Sequence, residues 1–141
     1  MKTKVLFICE HNSARSQMAS AFLRKYGSDA YEVDSAGLEP TALNPLAVAV
    51  MQEAGIDISD QKPQNVFDLF RQGKLYHAII TVCQPAADKC PIFPGVAKRL
   101  HWPFDDPAQF IGTWEEKLSQ TRQIRDRIES TVKEWISENR R

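Results

Sequence analysis

Cysteine is scarce in this sequence: Cys9, Cys83 and Cys90 are all that its 141 residues hold. An odd count without close spacing excludes a disulfide-stapled scaffold, and a chain of this length can bury a core unaided. The expected compartment is therefore the reducing cytoplasm, with each thiol free, buried or put to chemical use. Net charge is lacking as well, since 18 Lys and Arg face 18 Asp and Glu. No global field draws the chain to nucleic acid or to an anionic membrane. The basic pair Arg140 and Arg141 reads as a favourable helix C-terminus. No run approaches the roughly 20 apolar residues that span a bilayer. Lys2 and Lys4 precede an apolar run over Val5–Cys9, but Glu10 ends it short of the roughly 7–15 residues of a signal-peptide core. The three histidines and the cysteines lack ligand spacing, so no metal site is expected. Repeats, linkers and low-complexity tracts are missing too, which leaves one domain over residues 1–141, expected as a monomer.

What is present alternates between two periods. Lys4–Ile8 is a short apolar run that fits a buried central strand. From Ser16 the apolar positions Met18, Ala21, Phe22 and Tyr26 take helical spacing, closed by Gly27. Tyr31–Asp34 reads as a second strand ending in the turn-prone Ser35-Ala36-Gly37. Asn44 caps a helix with Pro45 at its first position and Gly55 beyond its end. A short helix is placed near Val66–Arg71, and Tyr76–Val82 is β-branched, apolar and short, a third buried strand. Gln84–Gly95 carries three prolines and reads largely as loop. Arg99–Trp102 is a weaker fourth strand. Thr113-Trp114-Glu115-Glu116 has the form of a capping box. It opens a helix whose apolar face is Leu118, Thr121, Ile124, Ile128, Val132, Trp135 and Ile136. Strands alternating with helices imply an α/β, three-layer sandwich: a central four-stranded parallel sheet with helices on both faces.

The junction of the first strand and first helix carries the chemistry: Cys9-Glu10-His11-Asn12-Ser13-Ala14-Arg15-Ser16, a Cys-x5-Arg-Ser arrangement. A loop entering a helix can turn successive N–H groups inward, and the helix N-terminus adds positive potential. A tetrahedral oxyanion fits such a cradle, clasped by the guanidinium of Arg15 through two hydrogen bonds. The same field favours a Cys9 thiolate, lowering its pKa below the ordinary value of about 8.5. Ser16 is placed to donate a hydroxyl to that sulfur. Asn12 is the best candidate for a left-handed backbone position in a loop without glycine, and Ser13 braces the turn. His11 is read as an exposed loop residue ahead of a general base, and the Glu10 side chain is placed outward, because inside it would repel an anion.

Cys83 ends the third strand as Cys9 ends the first, and in an open parallel sheet these carboxyl ends border the ligand crevice. Cys90 follows seven residues later. A helical segment would hold the two α-carbons about 10.5 Å apart, beyond the roughly 7 Å that a disulfide tolerates. A bond between them needs a folded-back loop, which Pro85 and Pro91 make feasible. Otherwise the two are unrelated cysteines, Cys83 in the core and Cys90 exposed. Asp105-Asp106-Pro107 lies at the same edge. It can act as a turn, as a general acid toward a departing oxygen, or as both.

Together these residues resemble the thioredoxin-coupled arsenate reductases, which share the fold of the low-molecular-weight tyrosine phosphatases. The likeness runs through Val5–Cys9, Asn12-Ser13, Arg15–Ala19, Ser35–Gly37, Asn44-Pro45, Asp57–Ser59, Cys83, Cys90–Ile92 and Phe104–Pro107. It implies Cys9 as nucleophile, Arg15 and the amides of residues 10–16 as the oxyanion clasp, Asp106 as acid, and Cys83 with Cys90 as a disulfide relay. Arsenate is then the substrate and thioredoxin, or another thiol reductant, the partner, with no cofactor. Two positions depart from the pattern. Ser20 and Gln64 stand where some relatives place carboxylates around a potassium ion, and Ala14 replaces an additional loop cysteine. Two other functions share the motif. A low-molecular-weight tyrosine phosphatase would need neither Cys83 nor Cys90 and usually carries an aromatic residue where Ala108 stands. A non-catalytic phosphate-binding module would not need intact Cys9, Arg15 and Asp106.

Overall fold

A computed structural model describes residues 2–82 and 93–139 of the chain. Strand β1 (Thr3–Cys9) leads into α1 (Arg15–Gly27), a 3-10 turn (Ser28–Ala30) and β2 (Tyr31–Gly37). Helices α2 (Pro45–Glu53) and α3 (Val66–Arg71) follow, then β3 (Ala78–Thr81) and β4 (Lys98–His101). A second 3-10 turn (Pro107–Gln109) precedes the long α4 (Trp114–Asn139). All strands are parallel, in the order β2-β1-β3-β4. The connections leave β1 toward one edge and β3 toward the other, so the carboxyl ends of β1 and β3 flank the place where the winding reverses. Open parallel sheets bind their ligands there.

The apolar run predicted for the central strand is fully buried: Val5, Leu6, Phe7 and Ile8 are at 0% exposure. Each such side chain contributes roughly 1.5–3 kcal/mol relative to an exposed one. Period-two alternation sends neighbours to opposite faces. On one face Phe7 meets Trp102 at 6.0 Å, and Trp102 meets Trp135 of α4 edge-on at 6.2 Å. On the other face Phe93 lies edge-on to both Phe70 of α3 (5.4 Å) and Tyr76 (5.5 Å). The predicted face of α4 is buried at each named position, from Leu118 to Ile136. Its capping box is made, with Glu116 N–H donating to Thr113 Oγ1 and Thr113 N–H to Glu116 Oε1, both at 3.2 Å. Arg122 clamps Glu53 of α2 through two nitrogens, and Arg125 adds a bond to the Val50 carbonyl at 2.9 Å.

Element boundaries differ from expectation in all four strands, the first of which runs one residue further at each end, Thr3–Cys9. The second strand continues through the supposed turn to Gly37, because Ser35, Ala36 and Gly37 stay in register with Phe7, Ile8 and Cys9. The third strand is shorter, Ala78–Thr81, and the fourth begins one residue earlier at Lys98. A short strand's ladder ends where its shorter neighbour ends, whatever the β-propensity of flanking residues. Cys83, Cys90 and most of the proline-containing segment lie outside the described residues.

Tyr76 supports a prediction on pH. It is buried and donates its hydroxyl to Asp34 Oδ2 at 2.7 Å. Burial, and then the bond to the Asp34 carboxylate, push its pKa well above the usual phenol range. With the folded pKa raised, the neutral form contributes stability that is complete below the unfolded value of about 10. That contribution is lost as pH climbs beyond it. Urea unfolding between pH 7 and 11 is expected to show a steeper alkaline decline for the native chain than for Tyr76→Phe. At pH 7 the variant costs about 1 kcal/mol. Parallel alkaline limbs would refute the assignment.

Candidate active site

The loop between β1 and α1 is held from behind by backbone. The carbonyls of Cys9, Glu10, His11 and Ser13 accept from the N–H groups of Leu38, Glu39, Thr41 and Asn44, at 2.7–3.2 Å. These bonds engage four of the loop's carbonyls and fix it against residues 38–44. The first consequence is visible at Cys9, whose sulfur accepts from Asn12 N–H at 3.0 Å. Asn12 adopts the left-handed conformation expected of it, at φ 51°. Helix α1 starts from Ala14, which has no capping side chain and stands at non-helical angles. Its first turn holds no acidic residue, so no carboxylate of the helix itself competes with an anion at its N-terminus.

A hydrogen-bond chain ends on the sulfur. Asn12 Nδ2 donates to Ser16 Oγ at 2.7 Å, and Ser16 Oγ lies 2.9 Å from Cys9 Sγ. An ionised sulfur has no hydrogen to give, so toward a Cys9 thiolate the Ser16 hydroxyl is the donor. A thiolate holding one N–H and one O–H donor is favoured over the thiol. Asn12 is in turn gripped by Gln17, whose Nε2 donates to its carbonyl and to Oδ1, each at 3.1 Å. Gln64 N–H adds a bond to the same Oδ1 at 2.9 Å.

Arg15 is the first residue of α1, with its side chain only 8% exposed. Its Nη1 donates to the Phe104 carbonyl at 3.1 Å, and its Nη2 lies 3.4 Å from Asp106 Oδ2. The guanidinium is thus aimed by the segment after β4. Asp106 closes the expected turn, Oδ1 accepting from Ala108 N–H at 3.0 Å, and its Oδ2 faces Arg15 at the loop. His11 is half-buried, and its Nδ1–H donates to the Glu39 carbonyl at 2.9 Å, fastening the loop to its backing segment. Glu10 is half-buried, Ser13 contributes its carbonyl to the backing ladder, and Ala14 is buried.

The structure therefore joins Cys9, Asn12, Arg15, Ser16 and Asp106 in one place. Cys83 and Cys90 lie outside the described residues, but Val82, which precedes Cys83, donates its N–H to the Ile8 carbonyl at 2.9 Å. The chain thus leaves β3 beside the start of the loop. Sequence reasoning did not foresee the supporting roles of Gly37, Gln17, Gln64 and Phe104, nor the backing by segment 38–44. Gln64 is 52 residues from Asn12, and no local signal links them. Among the described residues no cluster of three or more His, Cys, Asp or Glu could hold a metal, and no helix is long and apolar enough to cross a membrane.

The chain as a whole is similar to known proteins. Residues 4–141 match the family model of the low molecular weight phosphotyrosine protein phosphatases. The arsenate reductase of Shouchella clausii is 46% identical over 135 residues, with 95% of each chain covered. That of Bacillus subtilis is 44% identical over 137 residues, covering 96% of each. A solved arsenate reductase in the oxidized state superposes with a TM-score of 0.81 at 30% identity over 98% of both chains. A thioredoxin-dependent arsenate reductase of Corynebacterium glutamicum gives a TM-score of 0.62 at 30% identity, with 94% of this chain and 62% of that one covered. In sequence and in fold alike, this chain belongs to the low molecular weight phosphotyrosine protein phosphatase family, alongside relatives named as arsenate reductases.

Proposed function

We propose that this enzyme reduces arsenate to arsenite, with Cys9 as nucleophile and Cys83 and Cys90 as a disulfide relay emptied by thioredoxin in the cytoplasm. The observation that carries the reading is the Cys9 sulfur held by Asn12 N–H and Ser16 Oγ beside the anchored guanidinium of Arg15. The names of the relatives at 44–46% identity support it.

In this scheme arsenate sits over the loop amides and Arg15. The Cys9 thiolate bonds to arsenic, and one oxygen departs as water after taking a proton from Asp106. The Cys83 thiolate then attacks the Cys9 sulfur. The sulfur–arsenic bond breaks, its electron pair stays on arsenic, arsenite leaves, and a Cys9–Cys83 disulfide remains. Cys90 attacks Cys83 and moves the disulfide to Cys83–Cys90, releasing Cys9. A dithiol such as reduced thioredoxin then supplies two electrons and two protons. Each exchange is thiolate attack, governed by access and thiolate fraction. Apart from the external dithiol, one chain carries every group the scheme uses, which fits a monomer.

Mass spectrometry after one arsenate turnover without external reductant tests the scheme. A Cys83–Cys90 disulfide with one equivalent of arsenite is the expected outcome, and Cys90→Ser is expected to stop at Cys9–Cys83. Three reduced thiols with arsenate unchanged would sink the proposal. Undiminished multiple turnover of Cys90→Ser with thioredoxin would remove Cys90 from it. A glutaredoxin or a small thiol in place of thioredoxin identifies the reductant by rate.

One observation favours a second activity. Cys9, Arg15 and Asp106 suffice by themselves for phosphomonoester hydrolysis, so slow cleavage of an aryl phosphate is expected. Ala108, exposed after Pro107, offers no aromatic flank for a substrate ring. Vigorous hydrolysis with no disulfide formed would make the phosphatase the main function.

A further inference from the structure

We infer that Gln64 is a positioning residue, an uncharged amide staple that fixes the oxyanion loop without the bound cation some relatives use. Gln64 ties the loop to the end of β2 from three of its groups. Its N–H donates to Asn12 Oδ1 at 2.9 Å, its carbonyl accepts from Gly37 N–H at 2.8 Å, and its side-chain Nε2 donates to the Ser35 carbonyl at 3.0 Å. The staple acts on the left-handed residue of the loop. From Asn12 the chain of bonds passes through Ser16 Oγ to the Cys9 sulfur, so the placement of Gln64 bears on the thiolate without touching it.

The donor set around Asn12 does not fit a cation. Asn12 Oδ1 already accepts from Gln64 N–H and from Gln17 Nε2, which occupies both of its lone pairs. The Ser35 carbonyl accepts from an amide that would point its hydrogens at an incoming cation. Ser20 Oγ donates to the Gln17 carbonyl at 3.0 Å. The buried acceptor with no donor among the described residues is Gln17 Oε1, a single neutral oxygen. A buried charge needs counter-charge and several ligands to offset its lost hydration, and Ser20 and Gln64 supply no carboxylate.

The inference is independent of arsenate as substrate, because phosphate binding and Cys9 titration read the loop directly. A Cys83→Ser/Cys90→Ser background lets thiolate absorbance report Cys9 alone. In the otherwise unaltered chain, thermal midpoint, phosphate affinity and Cys9 pKa are expected to coincide in potassium chloride and in tetramethylammonium chloride of equal ionic strength. A rise of several degrees in the midpoint specific to potassium would overturn the inference.

Gln64→Glu keeps both backbone ties but sets a carboxylate against the Ser35 carbonyl. In tetramethylammonium it is expected to bind phosphate about tenfold more weakly, with the Cys9 pKa raised by about one unit. Potassium is expected to recover part of both, because the substitution creates the missing charge. Gln64→Lys, whose ammonium can again donate to Ser35, is expected to restore both readouts without potassium. Unchanged affinity and titration in Gln64→Glu would overturn the role. So would a Gln64→Lys chain as impaired as Gln64→Glu. Should Gln64→Glu fold only with potassium present, the staple is supported by the midpoint alone.

Discussion

Replacing Arg15 with alanine is expected to lower phosphate affinity and arsenate turnover together by about 10²–10³-fold, the usual consequence of removing a preorganised oxyanion donor. The side chain reaches the site already aimed, because Phe104 and Asp106 hold two of its nitrogens, so no ordering is required when the anion arrives. Truncation deletes the clasp and also leaves Asp106 facing the anion without its cation. Arg15→Lys is expected to recover only a small part, since an ammonium cannot span two anion oxygens and the Phe104 carbonyl at once. The Cys9 sulfur keeps two donors in this variant, Asn12 N–H and the Ser16 hydroxyl. Alkylation of Cys9 by iodoacetamide near neutral pH is therefore expected to stay within a few-fold of the unaltered chain. Phosphate affinity retained within threefold in Arg15→Ala would show that the loop amides bind the anion without the clasp.

Gly37→Ala is expected to be the most damaging single-methyl change in the molecule, costing about 2–4 kcal/mol in urea unfolding. A Cβ on Gly37 would stand 2.8 Å from Asn12 N, 2.8 Å from the His11 carbonyl carbon and 2.9 Å from Glu10 O. Every one of these is backbone, so no rotamer change relieves the contact. The strand and the loop must separate, which lengthens the bonds from Leu38 and Glu39 N–H to the Cys9 and Glu10 carbonyls. Since those bonds hold the loop in shape, the destabilised chain should also bind phosphate more weakly at temperatures where it remains folded. A loss below about 0.5 kcal/mol, the scale of an ordinary surface substitution, would mean that the loop and β2 do not press together here.

Local chemistry made much of this molecule legible in advance. An apolar run too short for a helix could only be a buried strand. Asn44 with Pro45, and Thr113 with Glu116, satisfy helix N-termini through neighbours in the chain, and both caps are made as expected. The spacing from Cys9 to Ser16 anticipated a loop folded around the sulfur, because its members meet across a few residues. Asn12 was the residue in that loop with low cost at positive φ, and it takes it. All of these depend on contacts across a few residues, where the sequence order is itself the geometry.

The remaining features depend on residues that meet only after the sheet has formed. Gly37 looked like a turn residue, but β2 continues through it, and its missing side chain instead admits the loop from another element. Gln64 gives no sign in its own neighbourhood that it will staple Asn12 and Ser35, and Phe104 reaches Arg15 with a backbone carbonyl that carries no residue-specific signature. The sequence by itself determined the strand–loop–helix unit and the side chains it brings around Cys9, because hydrogen bonding and periodicity act along the chain. Tertiary structure alone decided how that loop is backed, aimed and held, because those forces cross from strand to strand, between residues separated by tens of positions.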